Sequence, residues 1–256
     1  MSRALLTIVA NAHVGRHDGV VNSSQPVHRT ARERARAEIT GEIVDAARRQ
    51  LAIVGAAALS LRAVARDLGM VSSAVYRYVP SRDVLLTLLI VDAYDVLGAE
   101  VEAAEAAIDR ADLLGRWIAT GTAVRGWGLA HPHDWALIFG SPVPGYAAPQ
   151  DTIRPATRVP EVLCGIFADA VTSGRLDTAL VGDVSAAVGR AMEPVRTVVP
   201  RDRVPDPVMA GGLTAWAGLV GAVSFELFGH LHNVIDDHET FFAEELRRLI
   251  TLIGLR

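Results

Sequence analysis

Lysine is absent from this chain: all 25 of its basic residues are arginines. Any cationic surface is therefore built from planar, permanently charged forks of donors, which suit phosphate and carboxylate groups. Cysteine is nearly absent. Cys164 stands alone, so no internal disulfide can form, which fits a reducing cytoplasm, and its place between Leu163 and Ile166 reads as that of a small buried hydrophobe. No apolar run is expected to reach the length of about 18 residues that a bilayer span needs. The opening MSRALLTIVANA has a short apolar stretch and one Arg, too little for a secretory signal. Stretches alternating apolar and polar residues are missing, so strands are not expected. Also missing are a Gly-x-Ser-x-Gly elbow, a phosphate loop and a dinucleotide glycine fingerprint, which speaks against an enzyme or a bound cofactor. His131, His133, His230, His232 and His238 lie near Asp134, Asp236 and Asp237. The His pairs are spaced His-x-His, and such side chains diverge on a helix, so no metal site is assigned.

What is present centres on residues 59–89, LSLRAVARDLGMVSSAVYRYVPSRDVLLTLL. Ser60 is a good N-cap, followed by Leu61, Val64, Ala65 and Leu68 on one apolar stripe. Gly69 breaks that helix and permits a tight turn. A second short helix is expected over 72–79, stopped by Pro80, with Val75 and Val79 inward and Ser72, Ser73, Tyr76, Arg77 and Tyr78 outward. Two short helices joined by a glycine turn form a helix-turn-helix, whose second helix can enter a DNA major groove. Ser81 is placed to cap a fourth helix running to about Arg110, with Asp83 in its first turn.

These residues resemble the DNA-binding head of the TetR family of transcriptional regulators. The likeness rests on Gly69, the Tyr76-Arg77-Tyr78 triplet, Pro80-Ser81-Arg82-Asp83 and the leucines at 85, 86, 88 and 89, and it covers roughly residues 39–90. Two positions depart from the family pattern. Val71 stands where a capping Ser is common, so Ser72 is expected to cap instead, and Arg82 replaces the usual Lys. The resemblance implies an all-α fold: a three-helix head with a helix-turn-helix, then a helical ligand-binding and dimerisation domain. Residues 1–28 read as a flexible extension, 29–83 as the head and 84–256 as the second domain.

Charge agrees with that division. Residues 29–83 hold ten Arg against six acids, net +4, while the remainder holds fifteen against twenty-three, net −8. A basic head on an acidic body is the distribution that phosphate contact requires. Arg32 and Arg36, in the run RTARERAR, are expected to contact phosphates, with Arg62 along the flanking backbone. A helix follows to about Val54, with Ile39, Ile43, Ala47, Leu51 and Val54 on one stripe and Gly55 at its end. Ser72, Ser73, Tyr76 and Arg77 lie nearest the bases, and an arginine can pair two-pronged with guanine. The resemblance adds Tyr78 and Arg82 as phosphate contacts.

Beyond the fourth helix, helical stretches are expected over 113–130, from His133 through Phe139, over 156–173, 177–192 and 209–231, and over 240–255. Proline-rich loops separate them at 140–155 and 194–207. Aromatics make up only 5% of the chain, so their density here is informative. Trp127, Trp135, Phe139 and Trp216 are the candidate ligand-binding residues, since cavities in helical bundles are mostly apolar. Gly and Ala at 217, 218, 221 and 222, with Leu219, Phe225 and Leu227, and Phe241, Phe242, Leu246, Leu249 and Ile250 on the last helix, read as a homodimer seam like the family's four-helix bundle.

The function implied is a cytoplasmic, homodimeric DNA-binding regulator, a repressor released from a palindromic DNA operator by a small-molecule effector. A helical adaptor or effector-binding protein without DNA binding is the competing reading.

Overall fold

The computed structural model describes residues 30–255. The expected flexible extension, 1–28, and Arg29 at the start of the basic run lie outside them. Among the described residues every regular element is helical.

Helix α1 (Ala31–Val54) opens with a reciprocal cap. Thr30 Oγ1 accepts from the Glu33 N–H at 3.2 Å, and the Thr30 N–H donates to Glu33 Oε2 at 2.8 Å. Of the expected stripe, Ile43, Ala47 and Leu51 are buried and Ile39 is partly so. Val54 is exposed, being the last helical residue before Gly55, whose φ of 72° turns the chain away. A single 3₁₀ turn, Ala56–Ala58, leads to α2 (Leu61–Asp67) and, through Gly69 at φ 64°, to α3 (Ser72–Tyr76). Ser60 has the extended backbone of an N-cap, but its side chain makes no capping bond. The expectation for Ser72 is corrected. Val71 holds the N-cap position, and Ser72 is the first helical residue. Helix α3 also ends three residues early, because the residue before Pro80 disfavours helical backbone and the chain leaves the helix across Arg77 and Tyr78.

Helix α4 (Arg82–Ala106) is capped by Ser81, whose Oγ accepts from the Val84 N–H at 3.2 Å. It stops short of Arg110, and Asp112 caps α5 (Leu113–Ala130) by accepting from the Gly115 N–H at 2.8 Å. Then come α6 (Pro132–Phe139), a 3₁₀ turn Gln150–Thr152 and α7 (Ile153–Thr172). Helix α7 begins inside the expected proline-rich loop. Pro155 falls in its first turn, where a missing N–H removes no intrahelical bond. The expected 177–192 stretch is two short helices, α8 (Thr178–Val181) and α9 (Ala186–Ala191), and α10 (Glu193–Arg196) occupies part of the second loop. Helix α11 (Asp206–Leu227) starts earlier than 209 and stops before Gly229, whose φ is 76°; α12 (His238–Thr251) is the last.

Two cores form. The head core joins Ile43, Ala47, Leu61, Val64, Val75 and Val79 to Leu85, Leu86 and Leu89 of α4. Val143 and Tyr146, from the loop after α6, pack against it, and the Tyr146 hydroxyl lies 2.9 Å from Thr87 Oγ1. The body core joins Leu97 and Val101 of α4 to Trp117, Val124, Leu163, Ile166, Leu219, Val223, Leu246 and Ile250. Arg116, 2% exposed, is held by Glu105 at 2.5 Å and Asp169 at 2.7 Å, tying α5 to α4 and α7. The Trp117 indole N–H donates to the Leu246 carbonyl at 2.7 Å, fixing α5 against α12.

Helix α11 corrects one expectation from sequence: by length and composition alone it could cross a membrane. Residues 207–225 carry no charge, and the glycines among them mask the run's apolar length. Here α11 packs against α12, α5 and α7, with Ala215, Leu219 and Val223 buried. A Cβ on Gly218 would meet the Leu249 side chain at 2.5 Å, so this glycine brings α11 and α12 of one chain together.

Leu246→Ala should lower unfolding free energy by about 2–5 kcal/mol, because it opens a cavity among α5, α11 and α12. Arg248→Ala, on the solvent face of the same helix, should change it by less than about 0.5 kcal/mol. Urea denaturation of the two variants checks the contrast.

Candidate nucleic-acid interface and the seam behind it

Val75 and Val79, fully buried, pin α3 and the turn after it to the head core. That anchoring leaves Ser73, Tyr76 and Arg77 exposed, with Ser72 and Tyr78 partly covered. Arg62 is exposed on α2, and Arg32 and Arg36 are exposed on the first turns of α1. The Arg36 guanidinium lies over the Tyr78 ring, 5.5 Å from its centroid, and donates to the Arg77 carbonyl at 3.4 Å. Arg36 thus braces the end of α3 as well as facing solvent.

Arg82 is already engaged. Its Nη2 donates to the carbonyls of Ala56 and Ala57 at 2.8 and 3.1 Å, so it ties the start of α4 to the 3₁₀ turn before α2. Sequence reasoning carried no signal for this, since the acceptors are backbone atoms of two alanines. The nine residues singled out for DNA all lie on the head, and Arg82 alone among them is held by two hydrogen bonds to distant backbone.

In the body, the four aromatic candidates do come together. Trp127 and Trp135 lie 6.4 Å apart between ring centroids, Trp135 and Phe139 4.5 Å, and Phe139 and Trp216 6.0 Å. Trp127 and Trp135 are buried, and the Trp135 indole donates to Ser224 Oγ at 3.1 Å. The array is close-packed, and open space lies at one end of it. A cavity of about 130 Å³ is bounded by Arg48 of α1, Asp92, Ala93 and Val96 of α4, Trp127 of α5, and His131 and Asp134 at the start of α6. His131 stacks on Trp127, with centroids 5.2 Å apart.

The cavity is strongly polar on one side. Arg48 pairs with Asp92, with Asp45 at 3.2 Å and with Asp134 Oδ2 at 3.3 Å. Burial pushes the Asp134 carboxyl above the usual range, and the Arg48 charge works against that shift. Sequence reasoning gave Arg48 no role beyond the charge of the head, and weighed His131, with Asp134 near it, only in a metal reading that it set aside. Among the described residues no group of three His, Cys, Asp or Glu could hold a metal ion.

The expected dimer seam divides into two parts. Leu219, Phe242, Leu246 and Ile250 belong to the chain's own core, and Gly218 serves α12 of the same chain. Of the expected seam, Ala217, Phe225 and Gly221, whose missing side chain would point into open space, face outward on α11; Leu213 on the same helix and Phe228 just past its end are exposed as well. The cause of the division is helical periodicity. Positions 217, 221 and 225 repeat every four residues on one face, and 215, 219 and 223 on the opposite one.

Comparison with known proteins adds the following. Residues 43–89 match the family described as bacterial regulatory proteins, tetR family, and residues 117–249 match a tetracyclin repressor-like C-terminal domain. HTH-type transcriptional regulators of Mycobacterium tuberculosis (strain H37Rv) and of Mycobacterium bovis are each 43% identical over 231 residues, spanning 87% of this chain and 95% of the relative. The solved regulatory protein SCO4313 superposes with a TM-score of 0.68 at 35% identity, covering 86% of this chain and 99% of that one. PfmR, a TetR family transcriptional regulator from Thermus thermophilus, shares the fold with a TM-score of 0.54 at 16% identity, covering 84% of this chain and 98% of its own.

Arg82→Ala should reduce stability by about 2 kcal/mol, because two charge-assisted bonds between α4 and the turn before α2 are lost. Arg62→Ala should leave stability within about 0.5 kcal/mol. Equal denaturation midpoints for the two variants would contradict the tie between Arg82 and the Ala56–Ala57 carbonyls.

Proposed function

The chain belongs to the TetR family, a DNA-binding transcriptional regulator and not an enzyme, and we propose that it works as a cytoplasmic homodimeric repressor released from a palindromic operator by a small molecule. The observation that carries this reading is the position of α4, which contributes Leu85, Leu86 and Leu89 to the head core and Leu97 and Val101 to the body core. A change of packing in the body therefore reaches the head through one continuous helix. Residues 29–83 act as the DNA-binding unit and 84–256 as the effector and dimer unit.

In this reading Ser72, Ser73, Tyr76 and Arg77 face the bases, while Arg32, Arg36, Arg62, Tyr78 and Arg82 meet the backbone. Phosphate contacts position a protein and base contacts specify the site. The aromatic array of Trp127, Trp135, Phe139 and Trp216 forms the apolar wall against which an effector packs. Two copies meet through α11 and α12, and the exposed apolar residues Leu213 and Phe225 on α11, with Phe228 at its C-terminal cap, support this pairing. A two-fold pair presents its recognition helices about one DNA turn apart, which is what a palindrome requires. An effector shifts the balance only if it binds the form unable to span the two half-sites more tightly than the competent form.

Operator sequences can be selected from a random DNA pool and titrated by fluorescence anisotropy. Affinity should fall steeply with salt, by about 10³ or more between 50 and 200 mM for a protein neutralising several phosphates. Arg77→Ala should lose about 1–3 kcal/mol of discrimination at one base position. No sequence preference in the unmodified protein would refute the repressor reading. Separately, Phe225→Arg should convert the dimer to monomer in sedimentation and weaken operator binding with it, since a charge in a desolvated apolar seam is costly.

A further inference from the structure

Two buried polar atoms at the seam between head and body have no partner. Asp134 is 4% exposed, yet its Oδ1 accepts no hydrogen bond. Trp127 is 1% exposed, and its indole N–H donates to nothing. Both residues line the same cavity of about 130 Å³. Buried polar groups are nearly always satisfied, so two orphans on one cavity call for an occupant. That occupant must donate to a carboxylate oxygen and accept from an indole N–H.

Charge narrows its chemistry. Two carboxylates, Asp92 and Asp134, face the cavity against a single arginine, Arg48. On the other side of Asp92 lies a groove of about 280 Å³ that is also lined by Asp45 and Asp95. The carboxylates of Asp45, Asp92 and Asp95 share two arginines, Arg48 and Arg158, so acidic groups outnumber basic ones along the approach. Asp92 keeps 46% of its side chain exposed, which places the way in beside it. A water takes up roughly 30 Å³ of liquid, so the space exceeds what one or two waters fill.

We propose that this cavity binds a small organic ammonium that also carries an oxygen acceptor, of the amino alcohol kind. Its ammonium donates to Asp134 Oδ1 and Asp92, and its oxygen accepts from the Trp127 N–H. The ligand competes with Arg48 for the same carboxylates, and Arg48 ion-pairs α1 of the head to both α4 and α6, adding to the apolar contacts of Ile43 and Ala47. Occupancy therefore loosens the head's hold on the body. This last step rests on the effector-released repressor reading; the binding itself does not.

The test uses the full chain, with calorimetry and tryptophan fluorescence, and three probes of similar size: ethanolamine, propylamine and 1-propanol. Ethanolamine should bind best, propylamine more weakly for want of the oxygen, and 1-propanol not at all. Asp134→Asn should weaken ethanolamine binding about tenfold or more, since a charge-assisted bond is lost. Arg48→Ala should tighten it, because the competing cation is gone; a merely structural arginine would give weaker binding or none. Equal binding of 1-propanol and ethanolamine, no binding of either amine, or weaker ethanolamine binding in Arg48→Ala would overturn the site. Ethanolamine that binds without lowering operator affinity would overturn the coupling to the head. Failure of the ligand-free protein to bind any operator would instead strike the repressor reading and leave the calorimetric result standing.

Discussion

One helix is shared between two hydrophobic cores, and the rest of the molecule is arranged around that fact. The first turns of α4 supply leucines to the head, and its later turns supply Leu97 and Val101 to the body. Cores built this way cannot repack independently, because side chains close-packed in both directions leave a helix few alternative positions. Its ends are fixed by local chemistry, with Ser81 capping the start and a break after Ala106.

Ion pairs reinforce the same helix along its length. Arg48 from α1 reaches Asp92, Arg158 from α7 holds Asp95 and Glu102, and Arg116 from α5 holds Glu105. Isolated surface pairs add little stability, and a buried pair carries a desolvation cost that its Coulomb attraction only partly offsets. Their more certain effect is geometric. A forked guanidinium bonded to two carboxylates fixes orientation where methyl groups would allow sliding. Of these three, only the Arg48 cluster crosses from the head to the body, and beside it two buried polar atoms, Asp134 Oδ1 and the Trp127 indole nitrogen, are unpaired.

How much of this was legible in the sequence depends on the range of the interaction. Most local signals held: Gly69 takes positive φ, Val75 and Val79 are buried, Ser81 caps, and α5 spans 113–130 as its periodicity indicated, whereas Ser60 makes no capping bond and Val71, not Ser72, holds the cap of α3. Signals that depend on a distant partner did not carry. The glycines of α11 marked a place of close approach, but the sequence could not say that Gly218 admits Leu249 of the same chain while Gly221 faces outward. Prolines misled in two regions, since a proline in a first turn starts a helix as readily as a loop, and α7 and α11 both begin that way. The aromatic array was found because aromatics are scarce. The polar seam beside it was missed because Arg48, Asp92 and Asp134 are far apart in the chain, and each alone looks like a solvated surface charge.

The length of α4 has a consequence for how finely the DNA contact can be regulated. Twenty-five helical residues make a rod of about 37 Å, so a tilt of about 5° pivoting at one end carries the other through about 3 Å. Stacked bases are spaced about 3.4 Å apart along a strand, so such a lever moves a reading head by nearly one nucleotide step. A tilt of a few degrees is therefore geometrically sufficient to shift the DNA-binding head by about one base step.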